Sequence, residues 1–313
     1  MKAPYAVMCG DCRDLPTVRR LMDGEKAQVV ITSPPYAAQR EYDKSSGFEP
    51  IPPDKYIEWY KAVADNVAAV LAPDGSYFLN IKEHAQDGQR HLYVKKLVIA
   101  HVEQWGWRFV DEFCWRNTAN GVPGGWPNRM KNAWEPVFHF CRQSTIKFRP
   151  TAVGDESDEV VKYAASNPKA RSGSGLLGVG ASKEKGVARH SNVVEVKSES
   201  AQGTHSAPYP VGLAKFFIQA FSDPGDLIFD PFGGSASTLV AALLTGRRGR
   251  MTELSPTYCD VAVSRLLKQD AKLSPRLANS GASFNEARVG RMMEQEDAFK
   301  EDVMERLEAR AAQ

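Results

Sequence analysis

The chain has 313 residues, a formal net charge of +2, 42% hydrophobic residues and 25% charged residues. That composition excludes wholesale disorder, and no apolar run approaches the roughly 20 residues that cross a bilayer. The opening residues Met1-Lys2-Ala3-Pro4-Tyr5 lack the apolar core of a signal peptide, so a cytoplasmic protein is expected, built as one large α/β domain with an insertion or as two small domains.

The first third alternates strands and helices. Tyr5 to Met8 reads as a short strand ending at Gly10-Asp11, and Val29 to Thr32 as a buried strand of β-branched residues. Tyr56, Trp59, Tyr60, Val63, Val67 and Val70 recur at helical spacing, with Asp54 as a fair N-cap for a helix to Leu71. Pro73-Asp74-Gly75 makes a turn before a strand over Ser76 to Ile81. Leu92 to Trp105 is helical again and Arg108 to Trp115 extended.

The middle differs. Asn117 to Trp126 is rich in Gly, Pro and Asn, Glu135 to Arg142 contains another strand, and Ser166 to Gly203 is dense in Ser, Gly, Lys and Arg. So few large apolar groups cannot offset the entropy of ordering, and the last stretch reads as a mobile loop or linker. The rhythm then returns with a helix over Val211 to Phe221, a strand over Leu227 to Asp230, a helix over Ser235 to Leu244, a strand over Gly249 to Glu253 and a helix over Pro256 to Leu267. Met292 to Ala312 reads as a charged helix with Phe299, Val303 and Leu307 on one stripe.

Cys9, Cys12, Cys114, Cys141 and Cys259 are the cysteines. Cys9 and Cys12 have CxxC spacing, but no second close pair exists, which favours reduced thiols of a cytosolic protein over a metal site. Between Trp115 and Pro150 six basic residues (Arg116, Arg129, Lys131, Arg142, Lys147 and Arg149) face one acid, Glu135. Such a local excess on a near-neutral chain fits a groove that holds a polyanion.

Two constellations carry chemistry. In Leu227-Ile228-Phe229-Asp230-Pro231-Phe232-Gly233-Gly234-Ser235 an apolar strand ends in an acid and a glycine turn leads to a helix, which places a ligand at the carboxyl edge of a parallel sheet. Glu253 ends the next strand, where a carboxylate can accept hydrogen bonds from both hydroxyls of a ribose. Alone, this glycine turn is a weak signal. Thr32-Ser33-Pro34-Pro35-Tyr36 is more specific. Two prolines stiffen a loop and remove two backbone donors, leaving carbonyl oxygens and the Ser33 hydroxyl as acceptors for the hydrogens of an exocyclic amine. Holding those hydrogens favours a tetrahedral nitrogen with a directed lone pair, so catalysis is mostly positioning and electrostatics. Tyr36 offers a flat face for a base turned out of a duplex.

Together these motifs resemble the amino-methyltransferases of bacterial and phage restriction–modification systems, and their order, catalytic motif first and cofactor motif last, is similar to the β class. The resemblance covers about residues 5–145 and 204–268. It implies an α/β, Rossmann-like methyltransferase sheet that binds S-adenosylmethionine (AdoMet) and carries an inserted target-recognition region. Ser33, Pro34, Pro35 and Tyr36 would be catalytic. Cofactor contacts would come from Asp11 and Cys12 in Cys9-Gly10-Asp11-Cys12, from Thr32, and from Pro208 and Tyr209 in His205-Ser206-Ala207-Pro208-Tyr209-Pro210. Asp230, Pro231, Phe232, Gly233, Gly234, Ser235, Glu253 and Leu254 would complete the pocket. Trp134-Glu135-Pro136-Val137-Phe138-His139-Phe140 is similar to the segment after the catalytic half. Ala236 and Ser237 depart from the family's frequent glycine and threonine.

The implied organisation is a catalytic half over 1–114, a target-recognition region over 115–205, an AdoMet-binding half over 206–270 and a charged tail over 271–313. Double-stranded DNA is the implied substrate. A homodimer and a cognate restriction endonuclease acting on the same site stay open as partners. Serine before Pro-Pro-Tyr favours cytosine N4 over adenine N6 as the methylated atom. A catalytically idle nucleic-acid-binding protein with the same fold is the reading from another class, and the intact Ser33 motif and Asp230 argue against it.

Overall fold

A computed structural model describes residues 3–37, 47–83, 85–86, 88–118, 128, 130–156, 177–179, 187–198, 209–276 and 283–284. Residues 1–262 form one compact unit and 263–313 a second. In chain order the elements are β1 (Tyr5–Cys9), α1 (Leu15–Met22), β2 (Ala27–Thr32), α2 (Tyr56–Val70), β3 (Leu71–Asn80), β4 (Ala85–Gln86), β5 (Gln89–Arg90), α3 (Tyr93–Glu103), β6 (Arg108–Asn117), β7 (Trp134–Cys141) and β8 (Thr145–Lys147). Then come β9 (Asp155–Glu156), β10 (Leu177–Val179), β11 (Val187–Ala188), β12 (Val193–Val196), α4 (Val211–Phe221), β13 (Leu227–Asp230), α5 (Ser237–Leu244), β14 (Arg248–Glu253) and α6 (Pro256–Gln269). In the second unit the described residues hold one antiparallel bridge between Arg276 and Ser283.

An eight-stranded sheet runs β1-β14-β13-β2-β3-β7-β6-β12. Its ladders are parallel except for those β7 makes with β3 and β6. The carboxyl ends of seven strands therefore share one edge, and β7 alone begins there. β13 and β14, late in the chain, sit between β1 and β2 from its start, so both ends of the chain build one site edge.

Alternation along the central strands decides which side each residue serves. In β2, Val30 packs with α2 and α3, while Val29 and Ile31 pack with α4 and α5. Tyr77 and Leu79 of β3 join the first layer and Phe78 the second. All six residues of β2 are buried, as a strand covered on both faces requires. Phe78 stacks on His139 at 4.3 Å and packs on Phe217 at 4.4 Å. Burial pushes His139 down to a pKa of about 3, so this imidazole is neutral core. Among the described residues no helix is long and apolar enough to cross a membrane.

Two expectations are corrected here. The 166–203 stretch is not loop throughout: Val193–Val196 adds β12 to the sheet beside β6, with Val194 buried and the Trp115 indole donating to the Val196 carbonyl at 3.0 Å. Three valines in four residues supply β propensity and apolar surface that the surrounding composition hides. The helix expected from Ser235 begins at Ser237, because Ala236 takes a left-handed φ of 66° to close the turn. Helix α1 was not foreseen, although Asp14 caps it by accepting from the Thr17 amide at 3.0 Å. The tail helix over Met292 to Ala312 lies outside the described residues.

Candidate active site

Three strand ends make the floor of the site. Strand β2 ends at Thr32 and runs straight into Ser33-Pro34-Pro35-Tyr36, next to β13 and the turn after Asp230. The Thr32 hydroxyl donates to Asp230 Oδ1 at 2.6 Å. The same oxygen accepts from the Phe232 amide at 3.0 Å, and Oδ2 accepts from the Tyr209 hydroxyl at 2.9 Å and from the Thr238 hydroxyl. Burial pushes Asp230 upward in pKa, and the bonds from Thr238, Thr32 and Tyr209 oppose that push. Asp230 thus spends its oxygens inside the fold, tying together β2, β13, α5 and the segment before α4.

The turn itself needs glycine at Gly233. A Cβ there would meet Met251 Cε at 2.2 Å and Sδ at 2.8 Å. The Gly233 amide donates to the Thr252 carbonyl at 2.9 Å, and the Thr252 hydroxyl to the Pro231 carbonyl at 2.7 Å, so the turn is sewn onto β14. Glu253, at the end of β14, accepts from the Gly234 amide at 2.8 Å through Oε2 and from the Ser255 amide at 2.9 Å through Oε1. Burial raises its pKa, with the backbone bonds from Ser255 and Gly234 opposing. Ser235 is buried in the same turn, and Leu254 follows Glu253 half-buried.

Strand β1 brings the third wall. Cys9 pairs in register with Glu253, and Gly10 donates to the Glu253 carbonyl at 2.9 Å. Asp11 follows, held by the Arg13 guanidinium in a 2.6 Å ion pair. Arg13 also lies over the Trp59 ring at 5.7 Å, and Trp59 faces Phe232 at 5.9 Å. Cys12 is buried, its carbonyl accepting from Asn66 at 2.8 Å, and burial raises its thiol. Acids at the ends of two neighbouring strands, a glycine turn that a Cβ would block and an aromatic wall fit a nucleoside whose far end carries charge.

On the other side, the Tyr56 hydroxyl donates to the Pro35 carbonyl at 2.6 Å, which fixes the loop backbone just before Tyr36. The Tyr36 hydroxyl donates to Glu135 Oε2 at 3.1 Å, and Lys82 Nζ lies 2.7 Å from Glu135 Oε1. Thr238, Tyr56, Lys82 and Glu135 were not among the residues expected here. Thr238 was within reach of sequence reasoning, as the second residue of the helix that the glycine turn opens. The others depend on tertiary placement.

Of the expected sites, Ser33, Pro34, Pro35, Tyr36, Thr32, Asp11, Cys12, Tyr209, Asp230 to Ser235, Glu253 and Leu254 lie at this edge. Pro208 and Arg129 lie outside the described residues. The five described basic residues do not form one face. Arg116, near the end of β6, and Lys131, just before β7, lie toward the site edge. Strand β7 then carries the chain to the opposite edge. There Arg142 donates to the Trp105 and Gly106 carbonyls at 3.0 Å each. Lys147 sits 2.7 Å from Asp226 Oδ2, and Arg149 reaches both Asp223 oxygens at 2.9 Å. Asp223 and Asp226 precede β13, so these partners sit where that strand begins. Burial works upward on Asp223, but the bonds from Arg149 and Lys147 outweigh it and hold its pKa low.

A sheet of this order with a nucleoside-type turn beside a Pro-Pro-Tyr loop defines a Rossmann-like methyltransferase fold. Residues 27–264 match the DNA methylase family. The chain is 27% identical to the type II methyltransferase M.PvuII of Proteus hauseri over 268 residues, covering 78% of this chain and 79% of that protein. It superposes on the solved PvuII DNA methyltransferase (cytosine-N4-specific) with a TM-score of 0.62 at 23% identity, covering 87% of this chain and 89% of that one. The complex of M1.HpyAVI with S-adenosylmethionine gives 0.55 at 17% identity, covering 84% and 98%. The chain belongs to the DNA methylase family.

Proposed function

We propose that this protein transfers a methyl group from AdoMet to the N4 nitrogen of cytosine in double-stranded DNA. The observation that carries this is the junction of Ser33-Pro34-Pro35-Tyr36 with the Asp230 turn through the Thr32 bond of 2.6 Å, with serine rather than an acid leading the loop. AdoMet supplies an electrophilic methyl on a sulfonium. Glu253 would accept the ribose hydroxyls, Asp11 would face the adenine once turned from Arg13, and the Gly233-Gly234 turn would hold the charged end. Asp230 shapes this pocket from within.

The remaining work is done by the loop. The Ser33 hydroxyl and the Pro34 carbonyl accept the amine hydrogens, which localises the nitrogen lone pair toward the methyl. Tyr36 stacks on the extruded base, a contact of about 1–3 kcal/mol. Arg116 and Lys131 contact DNA phosphates from the site edge, with Arg129 between them in sequence. The type II names of relatives support a partner restriction endonuclease that cuts the same site when it is unmethylated.

Long-read sequencing of DNA from cells expressing the protein tests this, because it reports modified base and context together. The expected result is N4-methylcytosine in one short recurring sequence. N6-methyladenine alone, or unmodified DNA, contradicts the proposal.

A further inference from the structure

Glu135 has no part in either motif, yet it meets the catalytic loop. Strand β7 is antiparallel to its neighbours, so its first residues lie at the edge where the other strands end. The carboxylate of Glu135, placed at the start of that strand, reaches Tyr36. We propose that Glu135 is a positioning residue that holds the tip of the Tyr36 ring in place, and with it the position of the ring on which the extruded base stacks. This rests on the role of Tyr36 given above.

Two tethers bracket the end of the loop. Tyr56 holds the Pro35 carbonyl, which sets where the Tyr36 backbone begins, and Glu135 holds the hydroxyl at the far tip of the ring. A tyrosine held at both ends loses the rotation about its Cα–Cβ bond that would otherwise let the ring swing from the base. The acceptor is charged, and a hydroxyl bonded to a carboxylate is held more strongly than one bonded to a neutral group.

A bare carboxylate beside a polyanion would repel the substrate. Lys82 answers that: its ammonium lies 2.7 Å from Glu135 Oε1, with the two side chains 21% and 24% exposed. The Lys82 backbone is held in turn, since the Tyr93 hydroxyl donates to its carbonyl at 3.1 Å. The result is a chain from α3 through the end of β3 and the start of β7 to the ring. Strand pairing supports it, because Asn80 at the end of β3 is the register partner of Val137 and its side chain donates to the Pro136 carbonyl at 3.1 Å.

The test measures single-turnover methyl transfer from labelled AdoMet to unmethylated plasmid DNA, together with AdoMet affinity by calorimetry. Wild type is compared with Glu135→Ala, Glu135→Gln, Tyr36→Phe, Tyr36→Ala and the double variant Glu135→Ala/Tyr36→Phe. Misplacing a reacting geometry by about 1 Å can cost up to about 100-fold, so Glu135→Ala is expected to slow transfer by roughly 10- to 100-fold while AdoMet affinity stays within about twofold. Glu135→Gln, whose amide oxygen still accepts from Tyr36, recovers most of the rate. The double variant is no slower than Tyr36→Phe alone, because both single changes remove the same bond. Multiplying effects in the double variant, wild-type turnover in Glu135→Ala, or a loss of AdoMet affinity parallel to the loss of rate each overturn the proposal. Wild-type turnover in Tyr36→Ala overturns the stacking role itself. An enzyme that depends on Tyr36 but is indifferent to Glu135→Ala overturns the positioning role alone.

Discussion

Thr32 and Asp230 lie 198 residues apart in the chain and share a hydrogen bond of 2.6 Å where two adjacent strands of the sheet end. One ends the strand that feeds the Ser-Pro-Pro-Tyr loop, and the other ends the strand that feeds the glycine turn. The bond ties the Ser-Pro-Pro-Tyr loop directly to the glycine turn. Thr32→Val keeps the shape and removes the donor, leaving a buried carboxylate short of one partner. The expected cost is about 1–3 kcal/mol in denaturant unfolding, and methyl transfer should fall with it. Unchanged stability and turnover would show that the two loops are held by their strands alone.

Gly233 tests the turn. A methyl group there collides with Met251, and overpacking of this kind costs about 1–3 kcal/mol. Gly233→Ala should lower the thermal midpoint and weaken AdoMet binding, and pairing it with Met251→Ala should restore part of the stability. Calorimetric unfolding and AdoMet titration of the single and double variants check this. A fully additive loss in the double variant would place the constraint elsewhere than in the Met251 contact.

The raised pKa of Glu253 predicts the pH dependence of cofactor binding. A carboxylate raised by burial holds its proton over the window between its ordinary value and its raised one. The stability this gives the free protein is complete below the ordinary value and is lost as pH rises through the raised value. Binding works the other way in the role proposed for Glu253, because ribose hydroxyls would donate to the ionised form. AdoMet affinity should therefore fall as pH drops through the raised value, by up to about tenfold per unit. Titrations downward from neutral pH should show that decline in the wild type, and Glu253→Gln should bind weakly at every pH with little slope. A wild-type slope that survives in Glu253→Gln would assign the titration to another group.

DNA binding should divide along the two edges of the sheet. Arg116→Ala and Lys131→Ala should each weaken binding on any sequence and reduce the salt slope by about one. Lys147→Ala and Arg149→Ala should leave the slope alone, since both lie at the opposite edge of the sheet, and should lower stability by breaking ion pairs with Asp223 and Asp226. Fluorescence anisotropy on one duplex over a salt series separates the two classes. A reduced slope in the second pair would return those residues to the DNA groove.

What the sequence disclosed follows from local physics. Val29 to Thr32 and Leu227 to Asp230 are apolar runs cut off by turn residues, so both strand ends and the loops they launch were readable in place. Strand β12 was hidden because four residues with one buried side chain give almost no periodic signal inside a stretch rich in Ser, Gly and Lys. The basic residues between Trp115 and Pro150 were countable but not placeable, since nothing local says that β7 runs against its neighbours. The same reversal hid Glu135, which was visible in its motif and acquires a role only where the fold sets it against Tyr36.

In the proposed reaction the Ser33 loop and the Asp230 turn act together on cytosine. The most direct measurement incubates the purified protein with labelled AdoMet and unmethylated plasmid DNA, digests the DNA to nucleosides and weighs the labelled product. N4-methylcytosine, abolished by Ser33→Ala in protein that still binds AdoMet, is the predicted result. Label found only in N6-methyladenine, or no label in DNA at all, would contradict it.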